Sequence, residues 1–432
     1  MKTPKQIQNE CGAALVISLI FIAILAMLGT TAVVLTTTDM QIGRNYNANT
    51  QGFYDANAGI NFAVSQMESG LSNESFSLPS NVGGTSTLSY TTPSGFSFSI
   101  SDITKISDIA YSFTSANSGP DSSSAPITVI FERDSPIKFA AFGDSKLDTK
   151  NGGNTLSYNS ASSDATANDP THASFQTTHK ADVGSNDWLV THNGANIDGD
   201  GVFGEKDDGA PTTNGIHGGT NFYGAAPRNA GRIDPDPMGI NSGGEYDPSS
   251  YSVSNDNGDN NLIEPDDALS GGSISLGNGD TLTLFGKSGG SDFYLTSITL
   301  NNNSTLTIDA TNGPVNLFLT GAFDAKNGAT ITVIKDYTDD SLDEIPSYDA
   351  TAFNVFSNSN NKIDLKHSSD FTGMIYAPFA PVDVKNSANM YGAVWADNVD
   401  IKNSGAIYFD AAIKDAYPSN DLTLISWQRI SG

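Results

Sequence analysis

Two stretches of the chain carry oxygen side chains at the spacing a calcium ion needs. Asn196, Asp198, Asp200 and Asp207 fall at positions 1, 3, 5 and 12 of a twelve-residue loop. Gly201 stands at position 6, where the backbone must turn sharply, and Val202 would offer its carbonyl at position 7. The same register recurs in Asn255, Asn257, Asp259 and Asp266, with Asn260 in place of the glycine and Asn261 at the carbonyl position. Hard cations take such all-oxygen sets, so calcium is the cofactor these loops predict. Helices do not flank either loop, because Pro211 closes the first and Gly271-Gly272 the second. The competing reading is a pair of acidic Asn/Gly turns that hold no ion. A third acidic run, residues 336–344, lacks ligand spacing and reads as a solvated loop.

Hydrolytic chemistry has a weaker claim. Gly143-Asp144-Ser145, the stretch from Gly184 through Asn186 to Asp187, and Asp364-Leu365-Lys366-His367 follow the block order of a GDSL-type esterase. That resemblance implies Ser145 as nucleophile, Asn186 in an oxyanion hole, and His367 as a base oriented by Asp364. It requires an α/β sheet with helices between the blocks, and no helical periodicity of useful length lies there. His172, His179, His192 and His217 sit in irregular Gly/Thr/Asn-rich segments and read as surface residues rather than a zinc site. A calcium-dependent, polysaccharide-cleaving β-helix is the other enzyme alternative. It would need a basic group such as Arg228 or Arg232 beside the acidic loops. The reading adopted is that the chain is not an enzyme.

The elements that would position these residues are repetitive. Leu147-Asp-Thr-Lys-Asn-Gly152, Phe323-Asp-Ala-Lys-Asn-Gly328, Ile363-Asp-Leu-Lys-His-Ser368, Val382-Asp-Val-Lys-Asn-Ser387 and Val399-Asp-Ile-Lys-Asn-Ser404 are five copies of one unit. Each alternates inward and outward side chains, then turns at a pair of residues suited to left-handed backbone angles. His367 thus stands where all four sibling copies carry asparagine. A finer period of eight or nine marks paired inward positions at 274/276, 282/284, 298/300, 306/308, 315/317, 323/325 and 331/333. Phe371-Thr-Gly-Met-Ile-Tyr-Ala and Met390-Tyr-Gly-Ala-Val-Trp-Ala repeat at 19 residues. This regularity predicts a β-solenoid of the right-handed parallel β-helix type, with a jelly roll or sandwich as the alternative.

The N-terminal part is organised differently. Residues 13–35 contain no charge, and as a helix would span roughly 35 Å, enough to cross a bilayer core. Lys2 and Lys5 precede them, so the N-terminus is expected on the cytoplasmic side. Beyond residue 35 the pattern stays helical: Tyr46, Phe53, Ile60 and Met67 recur every seventh position, with Ala56 and Ala63 between. Residues 71–136 alternate as strands, and a small sheet there would bury the stripe from Tyr46 to Met67. The net charge of −27 and pI near 4.2 exclude phosphate-backbone binding, hence nucleic acid as a partner. The single cysteine, Cys11, leaves no disulfide framework.

Gly12-Ala-Ala-Leu-Val-Ile-Ser-Leu-Ile-Phe, Leu28-Gly29, Gly43-Arg-Asn-Tyr46 and Phe53-Tyr-Asp-Ala-Asn-Ala-Gly59-Ile60 occur in order. Together they resemble the N-terminal segment of PilX-type minor pilins. The resemblance implies a processing site between Gly12 and Ala13, prepilin peptidase as a partner, and other pilins as partners through the helix. Ile17 stands fifth after that cut, where major pilins carry a glutamate that pairs with a neighbour's terminal amine; its absence resembles subunits that cap a tip. Asn57 also replaces the acidic residue common in the later motif. The repeats resemble the β-helical domain that often follows such N-termini.

The chain is accordingly expected to be mainly β with one long N-terminal helix. The expected order is a leader over 1–12, a transmembrane and assembly helix over 13–70 and a small β region over 71–136. A β-helix domain follows over 137–415, with an insertion at about 190–272, and a closing strand over 416–432. The implied function is that of a minor pilin-like subunit, probing a surface or glycan ligand or initiating assembly. Its implied course runs from a single-pass precursor in a bacterial inner membrane to a periplasmic or extracellular filament. A membrane-anchored surface β-helix that binds polysaccharide is the non-assembling alternative.

Overall fold

A single helix, Ile7–Glu68, runs through the whole apolar segment without a break. It passes through Gly12 and Ala13, so the expected boundary between leader and helix is not a boundary of structure. Threonines that would favour strand are satisfied inside the helix. Thr36, Thr37 and Thr38 each donate to the carbonyl four residues back, at 2.8–2.9 Å. The computed structural model describes residues 7–68, 83, 85–91, 97–106, 110–117, 126–192, 194–204, 213–216, 221–223, 228–229, 231–265, 269–338, 343–417 and 422–429. They form two units, Met1–Asp134 with Ser419–Gly432, and Ser135–Pro418.

In the first unit, five antiparallel strands form one sheet in the order Thr85–Thr91, Ser97–Lys105, Ala110–Asn117, Ile127–Arg133 and Leu422–Arg429. The outer helix lays Gly52, Asp55, Ala56, Gly59, Ile60 and Ala63 against it, which is one helical face. Ala56, Ile60 and Ala63 meet Phe98, Ile100, Ile103, Phe113, Val129 and Phe131 in a common core. The approach is close because Gly59 has no side chain: a Cβ there would lie 2.3 Å from Ser115 Oγ and 2.9 Å from Phe98 Cδ2. The buried face is therefore narrower than the heptad stripe predicts. Tyr46 is 71% exposed and Phe53 only half-buried, while the Met67 side chain lies outside the described residues. The C-terminal strand also departs from expectation. It does not close the repeat domain but pairs with Ile127–Arg133, from Leu422 opposite Arg133 to Arg429 opposite Ile127. Residues 135–418 are thus inserted into a hairpin of the small sheet.

The second unit is built from three ladders of parallel strands, and the chain passes through each in turn. In the first ladder, Ile274 pairs with Ile298, Ile298 with Phe323, Phe323 with Ile363, Ile363 with Val382 and Val382 with Val399. In the second, Leu282 pairs with Leu306 and Leu306 with Ile331, then Ile331 with Phe371 and Phe371 with Met390. In the third, Phe293, Leu317, Val355, Ile375 and Val394 follow one another in the same way. All fourteen of the predicted inward positions are buried, none more than 5% exposed. Three strands at the eight-to-nine-residue period give one passage of about 24 residues, as from Thr281 to Thr305.

Neighbour order along the ladders is not chain order. The copy beginning at Leu147, first in sequence, stacks on Val399, and Ile407 stacks on Thr155. From there the chain climbs to Val183–Ser185, Trp188–Thr191 and Asn196–Ile197, and then to Gly201–Phe203, Thr213–Ile216, Asn221–Phe222 and Arg228–Asn229. Residues 231–262 then return along the third ladder, and the chain resumes at Ser273–Leu276 at the opposite end of the stack. The region expected as one insertion, 190–272, is therefore part ladder and part return segment. The acidic run at 336–344 is not a simple loop either, because Thr330–Thr338 and Asp343–Ser347 pair antiparallel.

Candidate assembly interface

The helix presents its apolar residues to the outside. Leu15, Leu19, Phe21, Ile22, Leu25, Met27 and Leu28 are between 60 and 74% exposed, and so are Val33, Val34 and Leu35. Ile17, at the position where a glutamate would need a partner, is 55% exposed. A bare surface of this length is not stable in water and must meet lipid or other apolar helices. The chain has this one helix long and apolar enough to cross a membrane, among the described residues. The same stripe continues past residue 35 through Ile42, Tyr46 and Phe53, whose ring stands edge-on to Trp427 of the last strand at 6.1 Å. Gly12 and Ala13, the expected processing site, lie in the helix, and Ala13 is exposed.

Among the described residues, those of the first calcium loop engage protein groups. Asn196 lies in a strand and donates to Asn154 Oδ1 at 3.1 Å, a rung between neighbouring passages. The Asp198 carboxylate, 1% exposed, accepts from Thr177, from Ser157 at 3.2 Å and meets His179 Nδ1 at 2.5 Å. The Asp200 amide donates to Asp182 Oδ1 at 2.8 Å, and Val202 is buried in a strand. Asp207 lies outside the described residues. In the second loop, Asn255 donates to the Tyr251 carbonyl, and Asp259 caps a short 3-10 turn by accepting from the Asn261 amide at 3.0 Å. Asn257 pairs with both backbone groups of Tyr294, donating to its carbonyl at 2.6 Å and accepting from its amide at 3.0 Å. Asp266 lies outside the described residues. Among the described residues, no group of three or more His, Cys, Asp or Glu side chains gathers to hold a metal.

What the second loop does is cover an edge. Ser291–Leu295 is the outermost strand of the third ladder, with one row of amides and carbonyls left over. Asp256 accepts from the Asp292 amide at 2.9 Å and is held by Lys287 at 2.5 Å. Together with Asn257 it occupies that row, and Ile263–Glu264 pairs antiparallel along the outermost strand of the second ladder.

The hydrolase residues are split, with Asn186 beside the Gly143–Ser145 block and His367 with Asp364 at another corner. Ser145 donates to Asp397 Oδ1 at 2.5 Å, at the corner between the third and first ladders. Asn186 is buried and bridges Asp144 Oδ1 and the Ile233 backbone. His367 occupies a different corner, between the first and second ladders, while Asp364 gives its carboxylate to Lys366 and Lys385. His192 approaches Asp148 at 3.5 Å, His172 accepts from the Ser174 amide, and His217 lies outside the described residues. Arg232 lies 3.7 Å from Asp144; the Arg228 side chain is outside the described set.

The five repeats form two structures that sequence shows only as a pattern. At the corner, the residue pairs Asn151/Gly152, His367/Ser368, Asn386/Ser387 and Asn403/Ser404 all have φ between 53° and 76°. Asn151 donates to Asn403 at 3.1 Å and Asn403 to Asn386 at 2.9 Å, a side-chain ladder along the turns. On the outer face, aspartates 324, 364, 383, 400 and 148 would stack in one repelling row. Lysines two positions before or after an aspartate of the row interleave with them: Lys366 to Asp324 at 2.7 Å, Lys385 to Asp364 at 2.9 Å, Lys146 to Asp400 at 3.2 Å and Lys150 to Asp148 at 2.7 Å. Burial pushes Asp148 up, yet Lys150 and Lys146 hold it below the ordinary carboxylate value; Asp364 is held down likewise by Lys385 and Lys366.

A third feature shows in the sequence only as the alignment of Tyr376 with Trp395 in the 19-residue repeat. Phe318, Phe356, Tyr376, Trp395 and Phe142 stack outward along the third ladder, all 2% exposed or less. The return segment covers them: Tyr251 lies on Phe318 at 3.5 Å, Tyr246 against Phe356 at 5.0 Å, and Trp395 donates to the Pro235 carbonyl at 2.7 Å. Near the seam, the buried Asp410 accepts from the amides of Ser160, Ala350 and Ala412 at 3.0–3.1 Å and from the Ser160 hydroxyl at 2.7 Å.

Comparison with known proteins adds two family matches. A domain family of unknown function (DUF7305) matches residues 252–416. The PilX N-terminal family matches residues 12–61, which begin at the expected processing glycine and end on the helix face that meets the sheet. No curated protein and no solved structure matches the chain. Its long apolar helix and that match over residues 12–61 fit a PilX-type pilin.

Proposed function

We propose that the protein is a minor pilin-like structural subunit of a type IV pilus or related filament, cut after Gly12 and inserted from the inner membrane. The observation that carries this is the unbroken helix Ile7–Glu68, exposed and apolar over a membrane's thickness and then packed by one face on its own small sheet. Such a helix can leave a bilayer only by exchanging lipid for other apolar helices, which means other pilins. We read the ladder-built unit as a β-solenoid. Three parallel ladders visited in rotation by passages of 17 to 40 residues support that reading, as in the 17 from Val382 to Val399 and the 40 from Phe323 to Ile363. It is large, residues 135–418, and is inserted in sequence between two neighbouring strands of the small sheet. That bulk favours a rare or tip position and a role in adhesion or initiation, not in bond cleavage. N-terminal mass spectrometry of filament-associated protein tests the core of the proposal. A mature chain beginning at Ala13 is expected, and one that still begins at Met1 would overturn it.

A further inference from the structure

The second ladder carries an array that the pilin reading does not use. Its three outermost full strands read Thr281-Leu-Thr283, Thr305-Leu-Thr307 and Thr330-Ile-Thr332. Parallel pairing places Thr281, Thr305 and Thr330 in one row, and Thr283, Thr307 and Thr332 in a second. Strands in such a ladder lie roughly 4.8 Å apart, and alternate residues along a strand roughly 6.6 Å apart. Leu282, Leu306 and Ile331 fill the interior beneath, none more than 1% exposed, and fix the rows from below. Thr281 is exposed and the other five are half-buried. Among the described residues, none of the six hydroxyls has a hydrogen-bond partner in the protein. β-branching restricts each side chain to few rotamers, so methyls and hydroxyls repeat as a two-dimensional lattice.

The chemistry of the face selects its partner. It bears no charge in a chain of net charge −27; Glu264, beside Thr283, and Asp370, beyond Thr330, mark its borders. That speaks against a polyion as the ligand. No aromatic ring stands among the six; the ring next to them, Phe285, is half-buried and packed against the core, so the array itself offers no stacking platform of the kind sugars favour. A flexible solute would engage two or three hydroxyls and lose entropy in doing so. A rigid, neutral solid whose hydrogen-bonding atoms repeat at a few ångströms in two directions would engage all six. We infer that this face binds ice, with the threonine methyls and hydroxyls holding a patch of ordered water that merges with the crystal lattice.

Uptake into slowly growing ice tests this on the full chain in detergent micelles, beside three substitutions. The parent protein is expected to be enriched in the ice fraction over an inert protein in the same detergent. Thr307→Lys, at the centre of the array, is expected to abolish the enrichment. Thr299→Lys places the same charge on the outer face of the first ladder and is expected to leave it intact. Thr307→Val keeps the shape and a methyl, and guards against a Lys variant that merely misfolds; it should retain part of the uptake. Equal ice fractions for the parent and Thr307→Lys would overturn the inference, as would loss in Thr299→Lys as well. Binding of the parent to crystalline cellulose or chitin without ice uptake would assign the array to a polysaccharide instead, and would overturn it too. None of these outcomes depends on the pilin reading.

Discussion

The insertion of one unit into a hairpin of the other makes a sharp prediction about autonomy. Leu422 and Arg133 are direct register partners, so a two-residue Asn-Gly turn has the reach to join their strands. Replacing residues 134–421 by Asn-Gly should leave a chain whose helix, four-strand sheet and last strand fold together. The magnitude follows from loop closure. Bringing strand ends together across n flexible residues costs about (3/2)RT ln n, so shortening 288 residues to two would relieve roughly 4 kcal/mol. In the intact protein much of that cost is already avoided, because the inserted unit is folded and its ends are tied. Ser135 Oγ donates to the Tyr417 carbonyl at 3.0 Å. The shortened chain should thus match the stability of its unit in the parent, whereas unfolding the inserted unit without excising it should destabilise the sheet by several kcal/mol. Amide exchange of Val129 and Leu424, read by NMR in micelles, distinguishes these states. If the last strand loses protection in the shortened chain, the small sheet depends on the inserted unit and the reasoning fails.

Four further outcomes are expected. Burial pushes Asp410 up to about 6, offset in part by the hydrogen bonds from Ser160 and Ala412. Its folded-state value exceeds the unfolded one near 3.9, so its contribution is fully present below about pH 4 and is lost by about pH 6, a swing of about 3 kcal/mol. Denaturation followed by Trp395 fluorescence should show that swing in the parent and not in Asp410→Asn; equal pH dependence in both would refute it. Gly59→Leu should lower the midpoint of the helix–sheet unit by the equivalent of about 1–3 kcal/mol, since Ser115 and Phe98 occupy the space. Asn386→Val should destabilise the ladder unit by about 1–2 kcal/mol through its φ of 56° and the lost Asn403 bond, while Asn386→Gly should keep the turn. Millimolar calcium should leave the thermal midpoint of the ladder unit unchanged, because Asp198, Asn257 and Asp259 already spend their oxygens on protein donors; a clear rise would show that an ion replaces those bonds.

Periodic features were legible and pairings across the chain were not. The helix and the fourteen inward positions follow from spacing alone, because burial repeats with the geometry of the element. The left-handed corners were legible for the same reason: Asn, Ser, His and Gly tolerate that backbone and recur at one place in the repeat. Yet identical repeats reveal a register without saying which copies touch. Leu147 falls beside Val399, and Leu422 beside Arg133, through contacts that only the completed topology decides. The acidic loops show a second limit. Alternating Asn and Asp suits a calcium loop, but the same side chains mimic backbone donors and acceptors. Asn257, a residue of the ligand register, and Asp256, one residue out of step with it, use that second property to cover the edge of Ser291–Leu295.

In-register parallel stacking forces each outward residue type to meet its own kind a few ångströms away, and the three faces meet that constraint in different ways. On the first ladder, stacked carboxylates would repel, and lysines two positions along fill the gaps between them. On the second, threonine tolerates its own repetition, so the outer strands need no countercharge. On the third, aromatic rings gain by stacking but cannot be left in water, and the return segment 231–262 lies over them. This last solution bears on the unusual order of the chain. Had the strands run from one end to the other in sequence, no connecting segment would be obliged to retrace the stack. Entering beside Val399 and climbing away from it leaves the chain at the wrong end after Arg228–Asn229, and the route back to Ser273 runs the length of the third ladder. The aromatic face and the permuted order therefore support each other, and a variant with Phe318 and Phe356 made polar should loosen the return segment before it loosens the ladders.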